Sequence, residues 1–266
     1  MYMKVGFIGA GEMAKAIING LLKANHVSGS DIYLHSAHAN NYEPFAQAKG
    51  LVAASTNKEV VQNSDYVVLA VTPDRAADVL REVNDVLTDK VLISIVGGMS
   101  IQRLEELTGY NTPILRALPN VNVEITAGMT AIHANEQLNE AQTKQAVGLF
   151  EAIGSVSEQP EDKFSIFSAM AGSGPAYVAY FIDAMSRAGV KYGLSKQTAT
   201  EIAASVVQGS AQLVTESGET PMDVVDAVSS PGGSTVRGLL AMEEAGFMTS
   251  IIKCIDATIG QDKKVD

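Results

Sequence analysis

The sequence has little of what metal, disulfide and nucleic-acid chemistry require. Its 266 residues include one cysteine, four histidines and no tryptophan, and 30 acidic residues outnumber 19 basic ones, for a formal net charge of −11. A single cysteine excludes an internal disulfide, and an acidic chain is poorly suited to neutralising a phosphate backbone. We therefore expect a small-molecule partner, no nucleic acid, and a reduced, cytoplasmic setting.

Long apolar runs are also missing. No run approaches the ~20 residues that a membrane-spanning helix needs, and the N-terminal stretch predicts a strand and a turn, not a signal peptide. The four histidines lack metal-ligand spacing, and no Ser/His/Asp arrangement is evident. Cys254 lies in an apolar stretch and is predicted to be a buried structural thiol. The sequence thus predicts no metal site, no membrane segment and no nucleophilic catalysis.

The chain is rich enough in apolar residues to fill ordinary cores, at 46% hydrophobic and 18% charged. In its first half, short and partly β-branched runs alternate with stretches of helical periodicity. The predicted strands are residues 4–8, 31–35, 66–71, 91–96 and 130–133, and the predicted helices are residues 13–25, 42–49, 75–86, 101–107 and 139–153. This alternation predicts parallel strand pairs in a doubly wound α/β sheet of the Rossmann type.

Strand signals end near residue 162, and long stretches rich in Ala, Met, Val and Leu follow. The predicted helices of this half are residues 175–192, 196–216, 221–228, 234–245 and 248–260, with Gly193, Gly218 and Gly246 as predicted C-terminal stops. We predict a Rossmann domain over 1–160 and an all-helical domain over 161–266. Small residues recur through 168–215, which suits either a dimer interface or a monomeric helical bundle.

A GxGxxA fingerprint follows the first predicted strand and opens the first helix. Its residues are Gly9, Ala10, Gly11, Glu12, Met13 and Ala14. The first glycine permits a tight turn, the second lets backbone approach a pyrophosphate, and the small third residue lets helix pack on strand. The pattern predicts a dinucleotide-binding loop, with a purely structural glycine turn as the alternative.

The second strand ends without the acidic residue that holds the ribose 2′-hydroxyl in NAD-selective domains. A 2′-phosphate would meet no repulsion there and could hydrogen-bond Ser36, backbone N–H groups and a protonated His38. NADPH is therefore the predicted cofactor, with NADH as the alternative because no Arg is present to hold the phosphate. A solvated loop histidine is the other interpretation of His38.

Ligands of doubly wound folds bind at the carboxyl ends of strands. Ala70, Val71, Thr72 and Pro73 end one predicted strand, and Gly97 follows another, leaving room for a nicotinamide ring. An ordinary strand-terminating proline is the alternative.

Two glycine-rich segments, residues 171–177 and 229–235, precede helices in the second half. The later one offers N–H donors and hydroxyls at a helix start and predicts a site for a small carboxylate. A capped interhelical turn is the alternative for both.

Several segments together resemble the pyrroline-5-carboxylate reductase family over nearly the whole chain. They are GFIGAGEMA, SDYVVLAVTP, AGSGPAYVAYFIDAMSRAGVKYGL and AVSSPGGSTVRGLLAMEEAGF, in the family's order. The resemblance implies NADPH- or NADH-dependent reduction of 1-pyrroline-5-carboxylate to L-proline, the last step of proline biosynthesis. It also implies interlocked homodimers that assemble into decamers in many members.

Residue by residue, the resemblance places adenosine-ribose contacts near Ser36, His38 and Asn57. It places the substrate carboxylate loop on Gly232, Gly233, Ser234 and Thr235, with the Thr235 hydroxyl at the ring nitrogen as the candidate catalytic group. Three segments depart from the family's usual pattern. Thr72 stands for a Lys, residues 118–122 read LPNVN where MPNTP is usual, and residues 96–98 read VGG where AAG is common.

Two alternatives to this function stay open. A related imine reductase or hydroxyacid dehydrogenase could share the fold, although the SSPGGST loop lacks the Lys that would serve as a proton donor. A non-catalytic paralogue that only binds a dinucleotide is the other, and the changes at Thr72 and in residues 118–122 are its support.

Overall fold

The computed structural model describes residues 3–262, and its N-terminal unit is built on one eight-stranded sheet. The strands are β1 Val5–Ile8, β2 Ile32–His35, β3 Val52–Ala53, β4 Tyr66–Leu69, β5 Val91–Ser94, β6 Ile114–Leu118, β7 Gly128–Ala134 and β8 Gly154–Glu158. Their order in the sheet is β3-β2-β1-β4-β5-β6-β7-β8. The predicted doubly wound sheet is confirmed, and all five predicted strands lie in it.

Three strands, β3, β6 and β8, are absent from the sequence-based prediction. β3 has only two residues, β6 carries Arg116 at its centre, and β8 reads GSVSE, so none shows a long apolar or β-branched run. The prediction of parallel pairing throughout is wrong at one place, because β7 runs antiparallel to β6. The other strand pairs are parallel.

The helices of this unit cover both faces of the sheet. They are α1 Glu12–Lys23, α2 Ala39–Lys49, α3 Asn57–Gln62, α4 Pro73–Val83, α5 Ile101–Thr108, α6 Glu140–Glu151 and α7 Phe164–Phe167. One apolar cluster gathers α1 and α6 with the sheet, and a second gathers α3, α4 and α5 with it. Because both faces are covered, β1, β4 and β5 are buried at every position, as parallel strands usually are.

The glycine-rich segment at residues 171–177 is not an open loop. Ser168–Gly172 form a π-helical turn that continues α7, and α8 begins at Gly174. The capped interhelical turn given as the alternative for this first segment is therefore wrong, because the chain there is helical. Single π turns of this kind are frequent near functional sites.

The C-terminal unit, Gly174–Gln261, is entirely helical in its described residues. Its helices are α8 Gly174–Lys191, α9 Lys196–Ser217, α10 Pro221–Ala227, α11 Ser234–Glu244 and α12 Phe247–Asp262, which confirms the five predicted ones. Gly193, Gly218 and Gly246 have φ values of 96°, 72° and 75° at the predicted helix stops, where glycine carries no steric cost. The chain divides into these two compact units after Ser173.

Few apolar side chains of the helical unit are buried. Among its described residues, the buried apolar ones are Ala199 and Ala203, whereas Leu213 and Leu240 are 50% and 63% exposed. Cys254 is partly buried in α12. Each helix in the described residues is too short or too polar to cross a membrane.

Candidate functional site

The fingerprint loop lies where β1 ends, against the end of β4. Gly9 has φ of +107°, its N–H donates to the His35 carbonyl at 2.8 Å, and a Cβ there would lie 2.3 Å from the Ala70 carbonyl oxygen. The loops after β1, β2 and β4 are therefore packed backbone to backbone. Glycine is required at residue 9 by the fold itself.

Gly11 is different, because a Cβ there would meet no atom within 4 Å. It is the N-cap of α1, its conformation (φ −71°, ψ 175°) suits any residue, and no side chain caps the helix. The fold does not require glycine here. The space it leaves, beside unpartnered N–H groups at a helix start, fits a pyrophosphate.

The other residues of the fingerprint differ in how far their side chains are buried. Ala10 and Ala14 are 6% and 1% exposed and pack in the core, so Ala14 lets α1 approach the sheet. Glu12 is fully exposed and forms a 3.7 Å ion pair with Lys15, and Met13 is partly buried against the core.

Four of the five helices that begin at predicted site residues share one feature, and α3, which opens at Asn57 behind a Thr56 cap, is the exception. Helices α1, α2, α4 and α11 have Gly11, His38, Thr72 and Gly233 as N-caps, and no side chain accepts a hydrogen bond at any of these starts. In contrast, α3, α5, α6, α9 and α10 are each capped by a Ser, Thr or Asn side chain. A missing cap leaves N–H donors for a ligand or water.

At the adenosine end, the predicted contacts lie beside β2 and α3. Ser36 follows β2 and is partly buried, and His38 is exposed. Asn57 opens α3, and its Nδ2 already donates to Glu82 Oε2 at 2.9 Å, so only part of its amide is left for a ligand.

Behind these residues, a buried tyrosine of α2 and the last residue of β2 contact one carbonyl just after β3. The Tyr42 hydroxyl donates to the Ala54 carbonyl at 2.9 Å, and His35 Nδ1 lies 3.0 Å from the same oxygen. Burial, with smaller contributions from Glu43 and Glu59, raises the pKa of Tyr42, so its hydroxyl stays protonated as a donor. This cluster supports the end of β2.

A cavity of about 770 Å³ opens at the carboxyl ends of β4, β5 and β6. It is lined by Pro73, Gly97, Gly98, Met99, Ser100, Arg103, Arg116, Leu118, Glu161, Asp162, Phe164, Ser165 and Ser168. Predicted residues Pro73 and Gly97 thus line one space, and a Cβ at Gly97 would meet no atom within 4 Å. Ala70 and Val71 are partly buried just before it, and Thr72 is exposed.

Sequence reasoning missed the charged residues of this cavity. Arg116 donates from Nη1 to Glu161 Oε1 at 2.5 Å and lies 4.4 Å over the Phe164 ring. The signal for Arg116 was a lone cation in the apolar run ILRAL, but its partner is 45 residues away. Asn120, noted only as a departure from the family, is 5% exposed. Its side chain accepts from Met129 N–H and donates to the Ala171 carbonyl.

The predicted carboxylate loop lies in the helical unit, at the start of α11. Gly232 has φ of +73°, and a Cβ at Gly233 would lie 2.7 Å from Ser230 Oγ, so the turn itself requires both glycines. Ser234 and Thr235 are exposed in the first turn of the uncapped helix. The arrangement offers backbone N–H groups and two hydroxyls to an anion.

Within the described residues, no group of three or more His, Cys, Asp or Glu side chains could hold a metal ion.

Two family models match the chain. The model described as pyrroline-5-carboxylate reductase dimerisation matches residues 161–265, and the model described as NADP oxidoreductase coenzyme F420-dependent matches residues 4–98. The first match begins at the predicted domain boundary. The second includes the fingerprint loop.

Full-length relatives agree with these models. The chain is 35% identical to the pyrroline-5-carboxylate reductase of Aquifex aeolicus, over 99% of this chain and 97% of that protein, and 33% identical to that of Escherichia coli, over 100% and 99%. The crystal structure of Plasmodium falciparum pyrroline carboxylate reductase with NADP bound is 31% identical. It covers 98% of this chain and 97% of that one with a TM-score of 0.88.

Proposed function

The chain belongs to the pyrroline-5-carboxylate reductase family, and on that premise we propose that it reduces 1-pyrroline-5-carboxylate to L-proline with NADPH, the last step of proline biosynthesis. One observation in the structure carries the proposal. The starts of α1 and α11, at the predicted pyrophosphate and substrate carboxylate residues, carry no side-chain cap, whereas α5, α6, α9 and α10 are capped and begin at no predicted site residue. Both ligands carry anionic groups, which such starts favour.

The N-terminal unit fits a nicotinamide dinucleotide. Gly11 and Gly97 each leave room where a Cβ would project, and the α1 start supplies N–H donors for the pyrophosphate. Residues 9–14 would hold the pyrophosphate, and Ala70, Val71, Thr72, Pro73 and Gly97 would line the groove toward the nicotinamide. When bound, the cofactor supplies the hydride.

NADPH is the proposed cofactor, with NADH as the alternative. No carboxylate at the end of β2 opposes a 2′-phosphate, and Ser36, His38 and the free part of the Asn57 amide are the proposed donors. The Plasmodium falciparum relative, which has NADP bound, supports a dinucleotide of this class.

In the helical unit, we assign the substrate carboxylate to the N–H groups and hydroxyls of residues 232–235. The Thr235 hydroxyl is assigned a hydrogen bond to the ring nitrogen, which orients the imine carbon for hydride delivery and holds the nitrogen as its electron density rises. A protonated imine is already electrophilic, so no stronger acid or base is needed. This agrees with the scarcity of histidine in the chain.

A homo-oligomeric assembly follows from the dimerisation model and from the apolar residues exposed on α8, α9, α11 and α12. We propose a homodimer that assembles further to a decamer. A cytoplasmic location stays a prediction.

The direct test is the loss of NADPH absorbance when purified protein is mixed with 1-pyrroline-5-carboxylate, repeated with NADH. Turnover, faster with NADPH, is the expected result. Cofactor binding without turnover on this substrate would contradict the proposal, and turnover on another cyclic imine would redirect it to a related imine reductase.

A further inference from the structure

One carboxylate oxygen joins three parts of the N-terminal unit at the cavity. Glu161 Oε1 accepts from Arg116 Nη1, in β6, at 2.5 Å and from the Ile101 N–H, the first residue of α5, at 3.0 Å. Glu161 itself opens the segment that continues into α7 and the π turn. Glu161, Arg116 and Phe164 all line the cavity.

The pair is sheltered from solvent, unlike most ion pairs of this chain. The Arg116 and Glu161 side chains are 11% and 28% exposed, and the Phe164 ring covers the guanidinium. Charges that are largely removed from water destabilise the folded protein unless each remains paired with an opposite charge. A sheltered pair that also binds a backbone N–H holds its neighbours at fixed positions.

Residues 97–100 form the wall of the cavity that these hydrogen bonds would hold in position. Gly97 and Gly98 have no side chains to pack, and Gly98 lies at φ of +72°, so this half of the wall depends on its neighbours, whereas Met99 packs on the second apolar cluster and Ser100 caps α5. The wall runs directly into the Ile101 N–H that Glu161 accepts. This wall includes Gly97, which is proposed to lie beside the nicotinamide.

We propose that Glu161 is a positioning residue for hydride transfer, acting through the Ile101 N–H and Arg116 to hold the residue 97–100 wall. The inference rests on the proposed function. A displacement of about 1 Å at reacting atoms costs on the order of a hundredfold in rate, so a partly released wall slows hydride transfer without preventing cofactor binding.

The test compares variants of the acceptor, Glu161, with variants of the donor, Ile101, in the full-length protein. In Glu161→Ala both hydrogen bonds are lost, and we expect kcat to fall at least about tenfold, with the Kd for NADPH and the KM for substrate changed less than about threefold. Glu161→Gln keeps a carbonyl oxygen that accepts from both donors. Because glutamine leaves the sheltered Arg116 without an opposite charge, the kcat of Glu161→Gln should lie between those of Glu161→Ala and the wild type.

The matched pair Ile101→Pro and Ile101→Ala approaches the same bond from the donor side. Proline is tolerated at the first position of a helix, and Ser100 has the extended conformation (φ −72°, ψ 159°) that a following proline requires. Both variants lose the buried side chain, but only proline loses the N–H. We expect kcat of Ile101→Pro to be about fivefold or more below that of Ile101→Ala.

Asp78→Asn is the control, because it breaks an exposed ion pair with Arg81 on α4. This variant should leave kcat, the KM for substrate and the Kd for NADPH unchanged. Wild-type kcat in Glu161→Ala, equal kcat in the two Ile101 variants, or loss in Glu161→Gln as large as in Glu161→Ala would each overturn the positioning role. If Glu161→Ala does not fold, the Ile101 pair decides. Absence of turnover in the wild type would refute the proposed function, and this role with it.

Discussion

The two units of this chain bury their apolar residues in different ways. In the sheet unit, Leu21 and Phe150 are 0% and 1% exposed, and two apolar clusters fill both faces of the sheet. In the helical unit, Leu213 and Leu240 remain at least half exposed, and α11 and α12 contain no apolar residue classed as buried within the part described. The sheet unit thus has a filled core, whereas the helical unit leaves large apolar side chains exposed.

An exposed apolar surface on a monomer marks an interface, and here it falls within the matched dimerisation model. The small residues noted along residues 168–215 serve close contact between helices, in the chain or between copies. From the proposed homodimer we expect the folding of the helical unit to be coupled to assembly.

The largest expected effect comes from placing a charge on the exposed apolar surface of α9. Val206→Asp should convert the assembly to monomers and destabilise the helical unit, because a buried unpaired carboxylate at the interface is costly. Size-exclusion chromatography with light scattering measures the molar mass of the assembly. Tyr110→Asp, at a residue 56% exposed in the sheet unit, is the matched control, and dissociation in both variants would break the comparison.

The two cores should also differ in their dependence on protein concentration. Phe150→Ala should lower the free energy of unfolding by about 3–5 kcal/mol at any protein concentration, because the cavity that it leaves lies within one chain. The effect of Leu213→Ala should shift with concentration, because in the proposed homodimer its partner atoms belong to another copy. Denaturant unfolding at two concentrations checks both, and a concentration-independent Leu213→Ala would contradict the account.

The sheet unit alone should control cofactor binding. Gly11→Val should abolish NADPH binding while the protein stays folded, because its side chain would fill the space left for the pyrophosphate. Fluorescence titration measures the binding. Gly9→Ala should instead lower stability, since its Cβ meets the Ala70 carbonyl. Retained NADPH binding in Gly11→Val would refute the fingerprint assignment.

The helical unit should act on the substrate only. Thr235→Ala should lower kcat on the order of tenfold to a hundredfold and leave the Kd for NADPH unchanged, since a hydrogen bond to a charged group is lost. Thr215→Ala removes an exposed hydroxyl that bonds only the Gln212 carbonyl and serves as the control. Equal activity in Thr235→Ala and the wild type would refute the role of Thr235.

The smallest effect concerns an exposed ion network between α8 and α9. Hydrogen bonds from Lys196 and Arg187 lower the pKa of Asp183 below its ordinary 3.8. A carboxyl with a lowered folded pKa stabilises above its unfolded pKa, and that contribution is lost as pH falls through the folded value. Between about pH 5 and pH 3, Asp183→Asn should therefore show a slightly flatter decline in melting temperature than the wild type. Identical slopes would contradict this.

Local signals predicted much of the fold and of the cofactor loop. The GxGxxA pattern, the helical periodicity and the glycine stops all act within a few residues of each other, and the structure has the corresponding turn at Gly9 and helix ends at Gly193 and Gly218. The predicted anion-binding loop at Gly233 likewise begins an uncapped helix.

The features that were missed depend on distant contacts. β6 is recognisable only by its pairing with β5 and β7, and β8 is a polar sequence held by β7. Glu161 and Arg116 carry no motif, and only the fold brings them together beside the start of α5. The uncovered helical surface could not be inferred either, because small residues are equally typical of a monomeric bundle.

The most direct test of the central claim follows the hydride itself. The enzyme is supplied with NADPH carrying deuterium at both C4 positions of the nicotinamide and with unlabelled 1-pyrroline-5-carboxylate, and the proline formed is examined by NMR and mass spectrometry. The account predicts one deuterium per molecule, at the former imine carbon. Proline formed without deuterium, or no proline at all, would contradict it.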